Sequence, residues 1–258
     1  MSRNFEVLQK LELEREKEEQ QRAASGSVRM AAAVTAPPLQ DSAAGSVLLT
    51  MENPSRDQLT NLTQRLFLAA GGPRVVIFSG LQREVGCSWV AGRTAQLLAS
   101  QVGASVCLVD ANFRFPTLHD SFSIPNHHGL ADAVFDASPV RTFVRQIASP
   151  NLWLLSCGSP EKLSQATAAS EVLRTRLNQV RGEFDYVIID TPPLNQYSDA
   201  MSLASAADGI VLVVKANTSR RDAAQKVMRD AKVANLRILG AVLNQRTYPV
   251  PQAIYDRL

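Results

Sequence analysis

The stretch VVIFSGLQREVGCSW, residues 75–89, decides how this chain folds. It opens with an apolar, β-branched run typical of a buried strand, passes through a turn, and continues as a helical pattern over residues 88–102. A strand, a loop and a helix in this order can hold a phosphate, because the free N–H groups at a helix N-terminus attract anions. Gly86 and Ser88 match such a loop, but Cys87 stands where the loop would carry lysine.

The rest of the chain repeats the alternation of strand and helix. Further strand-like runs lie at 105–110, 151–156, 185–190, 209–214 and 237–244. Helical patterns lie between most of them, for example at 168–181 and 220–234, and another precedes the first strand at 55–68. Near-continuous apolar strands alternating with helices predict an α/β fold with a mostly parallel sheet flanked by helices on both faces. Ligands in such sheets bind at the carboxyl ends of the strands.

The chain before this domain differs in composition. Residues 1–22 predict a charged helix, which is either simply solvated or a docking helix for a partner. Residues 23–50 are rich in Ala, Ser, Gly and Pro and predict a flexible linker. We therefore predict a helical and disordered N-terminal extension followed by one domain over residues 51–258.

The net charge, the apolar runs and the cysteines of the chain argue against some classes of protein. The net charge of +3 and the lack of a basic block give no reason to expect nucleic acid binding. No apolar run approaches the roughly 18 residues of a membrane helix, so no transmembrane segment is predicted. Three cysteines without framework spacing are typical of a reducing compartment, and the cytoplasm is the expected location.

Two acids end predicted strands. Asp110 closes the run 105–110 and Asp190 closes the run 185–190. One such acid usually caps the next helix or turn. Two at neighbouring strand ends, beside the Gly86–Ser88 helix start, favour a hydrated Mg²⁺ site instead.

Three segments carry a family resemblance. CLVDANFRFPTLH (107–119), IPNHHGLADAVFD (124–136) and FDYVIIDTPPLNQYSDA (184–200) resemble, in order, motifs of the bacterial tyrosine kinases (BY-kinases) of capsule and exopolysaccharide biosynthesis. The resemblance covers roughly residues 73–248. It implies a P-loop NTPase-like fold within the MinD/ParA-like group, with ATP and Mg²⁺ as cofactors.

The resemblance also implies roles for the metal-site residues. Asp110 would be the Walker A′ acid, close to the metal and a candidate general base. Asp190 would be the Walker B acid, acting on Mg²⁺ through water, and Ser88 would supply the Mg²⁺-binding hydroxyl. Gly86 and Cys87 fall in the nucleotide-binding loop.

Further roles follow from the same resemblance. Arg114 would lie near the phosphates and Asn244 near the adenine edge. Tyr248 and Tyr255 are candidate phosphoacceptors, although Tyr255 could equally pack in a short amphipathic end. The implied partner is a membrane polysaccharide co-polymerase or a homologous kinase, which would hold the chain at the inner face of the membrane. A homo-oligomer is a further candidate.

The loop departs from the family pattern. Besides Cys87, the residues Arg83, Glu84 and Val85 replace a proline, a glycine and a small or acidic residue, and Asn112 replaces a second aspartate. Loss of the lysine removes a charge from the phosphates. We therefore predict weakened or lost tyrosine autophosphorylation. A pseudo-kinase interaction module and a MinD/ParA-like ATPase are the alternatives.

The sequence suggests interpretations of three further side chains. Arg83 could act as a substitute cation, with poorer geometry than a lysine. Cys87 is either a reactive thiol at a helix N-terminus or, as we favour, a small residue tolerated in the loop. Trp89 is predicted to be a packing residue.

Overall fold

A computed structural model describes residues 53–159, residue 162 and residues 170–246. The predicted helix 1–22, the predicted linker 23–50, Tyr248 and Tyr255 lie outside the described residues.

Seven strands form one sheet in the order β3-β4-β2-β5-β1-β6-β7. All neighbours pair in parallel except β3 and β4. The mostly parallel sheet predicted from the sequence is thus confirmed; the two-residue β3 was not predicted, because it is too short to show a pattern. The strands are β1 (Val75–Gly80), β2 (Val106–Asp110), β3 (Arg145–Gln146), β4 (Leu152–Leu155), β5 (Tyr186–Thr191), β6 (Gly209–Lys215) and β7 (Ile238–Asn244).

Seven α-helices and one 3₁₀ turn (Val140–Phe143) connect these strands in the described part of the chain. The four longest helices were predicted, and α3, α4 and α6 are too short for a periodic signal. No helix in the described ranges is long and apolar enough to span a membrane. The helices are α1 (Asn53–Phe67), α2 (Cys87–Gln101), α3 (Leu118–Ser121), α4 (Leu130–Phe135), α5 (Ser170–Glu183), α6 (Ser198–Ala204) and α7 (Arg221–Val233).

Helices cover both faces of the sheet, and the central strand β1 packs against helices on each face. Its side chains are all buried and alternate between two apolar cores. Val76 and Phe78 pack in one core with residues of α1 and α2. Val75 and Ile77 pack in the other, with residues of α5, α6 and α7. A strand buried on both faces needs the continuous apolar run that the sequence shows.

The helix that follows the loop is anchored at its far end by one side chain. The Asn151 amide Nδ2 donates to the carbonyl oxygens of Ala99, Val102 and Ala104 at 2.8, 2.9 and 3.0 Å. Carbonyls at a helix C-terminus have no partner within the helix, and the two N–H groups of this amide are shared among these three oxygens. Asn151 thereby ties the C-terminal end of α2 and the turn after it to the start of β4.

We predict that Asn151→Ala lowers the free energy of unfolding by about 1–3 kcal/mol, because it leaves partly buried carbonyls without a donor. Urea denaturation measures the change. Asn178→Ala is the matched control: Asn178 is exposed on α5, and we expect a change of less than about 0.5 kcal/mol. Equal effects of the two substitutions would contradict the anchoring role.

Candidate active site at the carboxyl edge of the sheet

The two predicted acids meet at the same edge of the sheet. Asp110 ends β2 and lies directly opposite Asp190 on the adjacent parallel strand β5. Both side chains are completely buried. The structure therefore brings together the two acids, which are 80 positions apart in the sequence, as expected for parallel neighbours.

Asp190 also contacts the helix start. The Ser88 hydroxyl Oγ donates to Asp190 Oδ2 at 2.5 Å. The other carboxylate oxygen, Oδ1, is buried and has no hydrogen-bond partner. Asp110 accepts from the backbone N–H groups of Asn112 at 3.1 Å and Leu118 at 3.2 Å. Asp110 is thus held by the backbone of its own loop, whereas Asp190 keeps one oxygen available.

Burial dominates the electrostatics of this pair. It raises the pKa of both carboxyl groups above the usual range of aspartate, and the neighbouring Asp190 charge raises the pKa of Asp110 further. The hydrogen bond from Ser88 acts in the opposite direction on the pKa of Asp190. Two carboxylates in a dry site repel each other, so the pair gains from a proton or a bound cation.

The donor set fits a magnesium ion. Carboxylate and hydroxyl oxygens are the ligands that Mg²⁺ prefers, and it commonly binds through one or two carboxylates while keeping several waters. The buried oxygen Asp190 Oδ1 without a partner is the observation that supports this fit. Asp110, Asp190 and Ser88 are the residues that would hold the ion.

The loop before α2 is built around a left-handed glycine. Gly86 has φ of +80°, and a Cβ atom there would lie 2.4 Å from Asn244 Nδ2. The same Asn244 amide donates to the carbonyl of Val85 at 2.8 Å. Asn244, at the end of β7, thus fixes the loop backbone; its predicted contact with an adenine edge remains a prediction.

Cys87 is the first residue of α2. Burial, and next the negative charge of Asp190, raise the pKa of its thiol well above the usual value. A thiol held in its protonated form is a poor nucleophile at neutral pH. This electrostatic setting favours the interpretation of Cys87 as a tolerated small residue over a reactive thiol.

A cleft of about 490 Å³ opens beside the loop. Trp89 and Phe115 both line it, with exposed fractions of 39% and 38%. We predicted Trp89 as a packing residue, but the third position of α2 turns it toward the cleft; Phe115 carried no signal in the sequence. The lining residues are Gly80, Gln82, Arg83, Glu84, Val85, Gly86, Cys87, Ser88, Trp89, Asn112, Phe115, Thr117, Ser121, Thr191 and Pro193.

The two arginines near the cleft take different positions. Arg114 is exposed and lies over the ring of Tyr197, with 5.2 Å between guanidinium carbon and ring centroid, and it is not part of the cleft lining. Arg83 lines the cleft and lies 3.6 Å over the ring of Phe115. Asp110 and Asp190 are buried and are not lining residues, but they accept hydrogen bonds from lining residues: Asp110 from Asn112 and Asp190 from Ser88.

Comparisons with known proteins agree with this geometry. A family model described as ParA, NUBPL iron-transfer P-loop NTPase, matches residues 74–255, more than half of the chain. The tyrosine-protein kinase YwqD of Bacillus subtilis is 30% identical over 159 residues, 62% of this chain and 67% of YwqD. CapB of Staphylococcus aureus is 29% identical over 146 residues, 57% of this chain and 64% of CapB.

The solved structures show the same fold. The kinase domain of the Escherichia coli tyrosine kinase ETK superposes with a TM-score of 0.66 at 21% identity, covering 78% of this chain and 82% of that domain. The family match, the relatives and the shared fold agree with one another. The chain therefore belongs to the ParA family of P-loop NTPases and, within it, to the bacterial tyrosine kinases.

Proposed function

We propose that this protein is a tyrosine-kinase-like regulator of exopolysaccharide or capsule biosynthesis or export, in which ATP-dependent tyrosine autophosphorylation is weakened or lost. The observation that carries the proposal is Cys87 at the first position of α2, beside an acid pair and a serine arranged for Mg²⁺. In this proposal Asp110, Asp190 and Ser88 would serve the metal ion, whereas no lysine is present in the loop to bind the phosphates.

The missing charge affects binding first. A charged hydrogen bond of the kind a loop lysine makes contributes about 1.5–3 kcal/mol net. The α2 N-terminus still favours an anion, but a helix dipole at an exposed site contributes typically 0.3–1 kcal/mol. Nucleotide binding through the helix alone is therefore weaker than with a lysine.

Catalysis is affected as well. In phosphoryl transfer the charge shifts onto the transferred group and the leaving oxygen, and fixed cations stabilise that shift. The Cys87 thiol is half-buried and carries no positive charge, so it supplies no such cation. Asp110 remains as a candidate base, but the developing charge has one stabilising group fewer.

The alternative is a pseudo-kinase that serves as an interaction module for a membrane polysaccharide co-polymerase or an active kinase. It is favoured by three departures from the family pattern, Cys87 and Glu84 in the loop and Asn112 after β2. This alternative predicts normal folding and no shift of the melting temperature by Mg-ATP. A shift of several degrees would contradict it, since a ligand of the native state raises stability. A MinD/ParA-like ATPase is the weaker alternative, because it needs the loop lysine.

The setting we propose is the cytoplasm, at the inner face of the membrane through a partner. The docking element that we propose is the segment 1–22, predicted as a helix, on the predicted linker 23–50, and a homo-oligomer is a further candidate for the assembly. Tyr248 and Tyr255 are the proposed phosphoacceptors.

We predict that Cys87→Lys raises the affinity for ADP–Mg²⁺ at least about tenfold, because it restores a charged bond of about 1.5–3 kcal/mol. Isothermal titration calorimetry measures the affinity. Cys87→Met, which adds length without charge, is the matched control and should give no gain. A gain in both variants would assign the effect to packing.

We predict that the wild-type chain incorporates about tenfold less label from γ-labelled ATP than Cys87→Lys does, and that Asp110→Ala removes label from both. The assay is run with and without the cytoplasmic segment of a co-polymerase. Label in the wild type equal to that in Cys87→Lys would contradict weakened transfer. Label that survives Asp110→Ala would contradict an enzymatic role for this site.

We predict a pH-dependent gain of stability for Asp190→Asn. The pKa values of Asp110 and Asp190 are raised in the folded state, so ionising these acids costs folding stability. This loss of stability is absent at low pH and grows as the pH rises through the raised pKa values. In metal-free buffer, the variant should melt above the wild type at about pH 8, with a smaller difference at about pH 5. Asp230→Asn, at an exposed acid of α7, is the control. A difference in melting temperature between Asp190→Asn and the wild type that does not change with pH would contradict the electrostatic explanation.

A further inference from the structure

The cleft has one cationic side chain among its described lining residues, and that side chain belongs to the loop itself. Arg83 and Glu84 are the charged members of the lining, and Arg83 is the cation. Arg83 is exposed and lies three positions before Gly86, the residue that precedes α2. A cation at this place lies on the same loop as the missing lysine.

The loop backbone around Arg83 is held from outside. Asn244 donates to the carbonyl of Val85 at 2.8 Å, and Gln245 Nε2 donates to the carbonyl of Glu84 at 3.5 Å. Both donors come from the end of β7 and the residue after it. Arg83 can therefore change its side-chain position while the loop that carries it stays in place.

The contact that now holds Arg83 is easily exchanged. Its guanidinium carbon lies 3.6 Å over the Phe115 ring, and no carboxylate pairs with it in the described part of the chain. A cation–π contact at an exposed site is weak compared with a charged bond to phosphate. An incoming phosphate would thus draw the guanidinium off the ring without breaking an ion pair.

We propose that Arg83 replaces the missing lysine: on binding of a nucleoside di- or triphosphate, its guanidinium leaves Phe115 and binds the phosphate beyond the α-position. This inference rests on the proposed nucleotide cleft. The planar guanidinium makes two parallel bonds to phosphate oxygens, unlike the single point charge of an ammonium. Arg83 then supports binding without reproducing the lysine geometry, in keeping with weakened transfer.

The test is the affinity for ADP–Mg²⁺, measured by calorimetry. We expect Arg83→Gln to bind at least about tenfold more weakly than the wild type, and Arg83→Lys to bind with an affinity between the two, because lysine keeps the charge but not the two parallel bonds. Arg221→Gln, which removes an exposed arginine of α7 outside the cleft lining, is the matched control and should bind like the wild type. All variants should keep the wild-type melting temperature, since both positions are exposed.

Tryptophan fluorescence gives a second readout. Trp89 lines the cleft, whereas Trp153 packs on Phe184 with 5.5 Å between ring centroids. Saturating ADP–Mg²⁺ should change the emission of the wild type, and Arg83→Gln should need at least about ten times more ligand for the same change.

Three results would overturn the proposal. The first is that Arg83→Gln and the wild type bind ADP–Mg²⁺ with equal affinity. The second is that Arg83→Gln and Arg83→Lys lose the same amount of affinity. The third is that the wild type shows no binding of ADP–Mg²⁺ in either readout. A lack of ADP–Mg²⁺ binding by the wild type would favour the pseudo-kinase alternative. Conversely, strong autophosphorylation by the wild type would refute the proposed weakened kinase, and the comparison of Arg83 variants would still decide the role of Arg83.

Discussion

The burial of Asp110 and Asp190, strengthened by the charge of Asp190 on Asp110, is the constraint on which the site depends. The two residues are register partners at neighbouring strand ends and are fully buried, and one oxygen of Asp190 has no hydrogen-bond partner among the described residues. Such a pair costs stability as soon as both groups ionise. The surrounding sheet, buried on both faces, is what keeps the acids in this position despite that cost.

In the loop next to the acids, different residues set the backbone conformation and the charge. Its backbone is set by Gly86, which takes the left-handed conformation, and by Asn244, which donates to the Val85 carbonyl. The first residue of α2 is Cys87, which brings no positive charge to the loop. A loop can thus keep the geometry of a phosphate site while the electrostatic attraction is reduced, since backbone bonds and side-chain charge are set by different residues.

Much of this arrangement could be predicted from the sequence, and the missed parts have physical reasons. The long strands and helices have periodic apolar patterns, so the sheet and four helices were predicted close to their positions. Elements such as β3 and α3 span only about one period, so no repeat can show in their sequence. Trp89 was predicted to pack, because an aromatic residue early in a helix has no signal that tells a core face from a cleft face.

The sequence by itself determined the fold class, the family and the acids, because burial on both faces of a parallel sheet demands apolar runs, and a polar residue at their ends stands out. It also determined that the loop lacks its lysine. Only the tertiary structure decided that Asp190 keeps one oxygen unpaired, that Asn244 braces the loop and that Arg83 lies on Phe115. These contacts join residues from different loops and strands, and their distances depend on how the packed sheet brings those segments together.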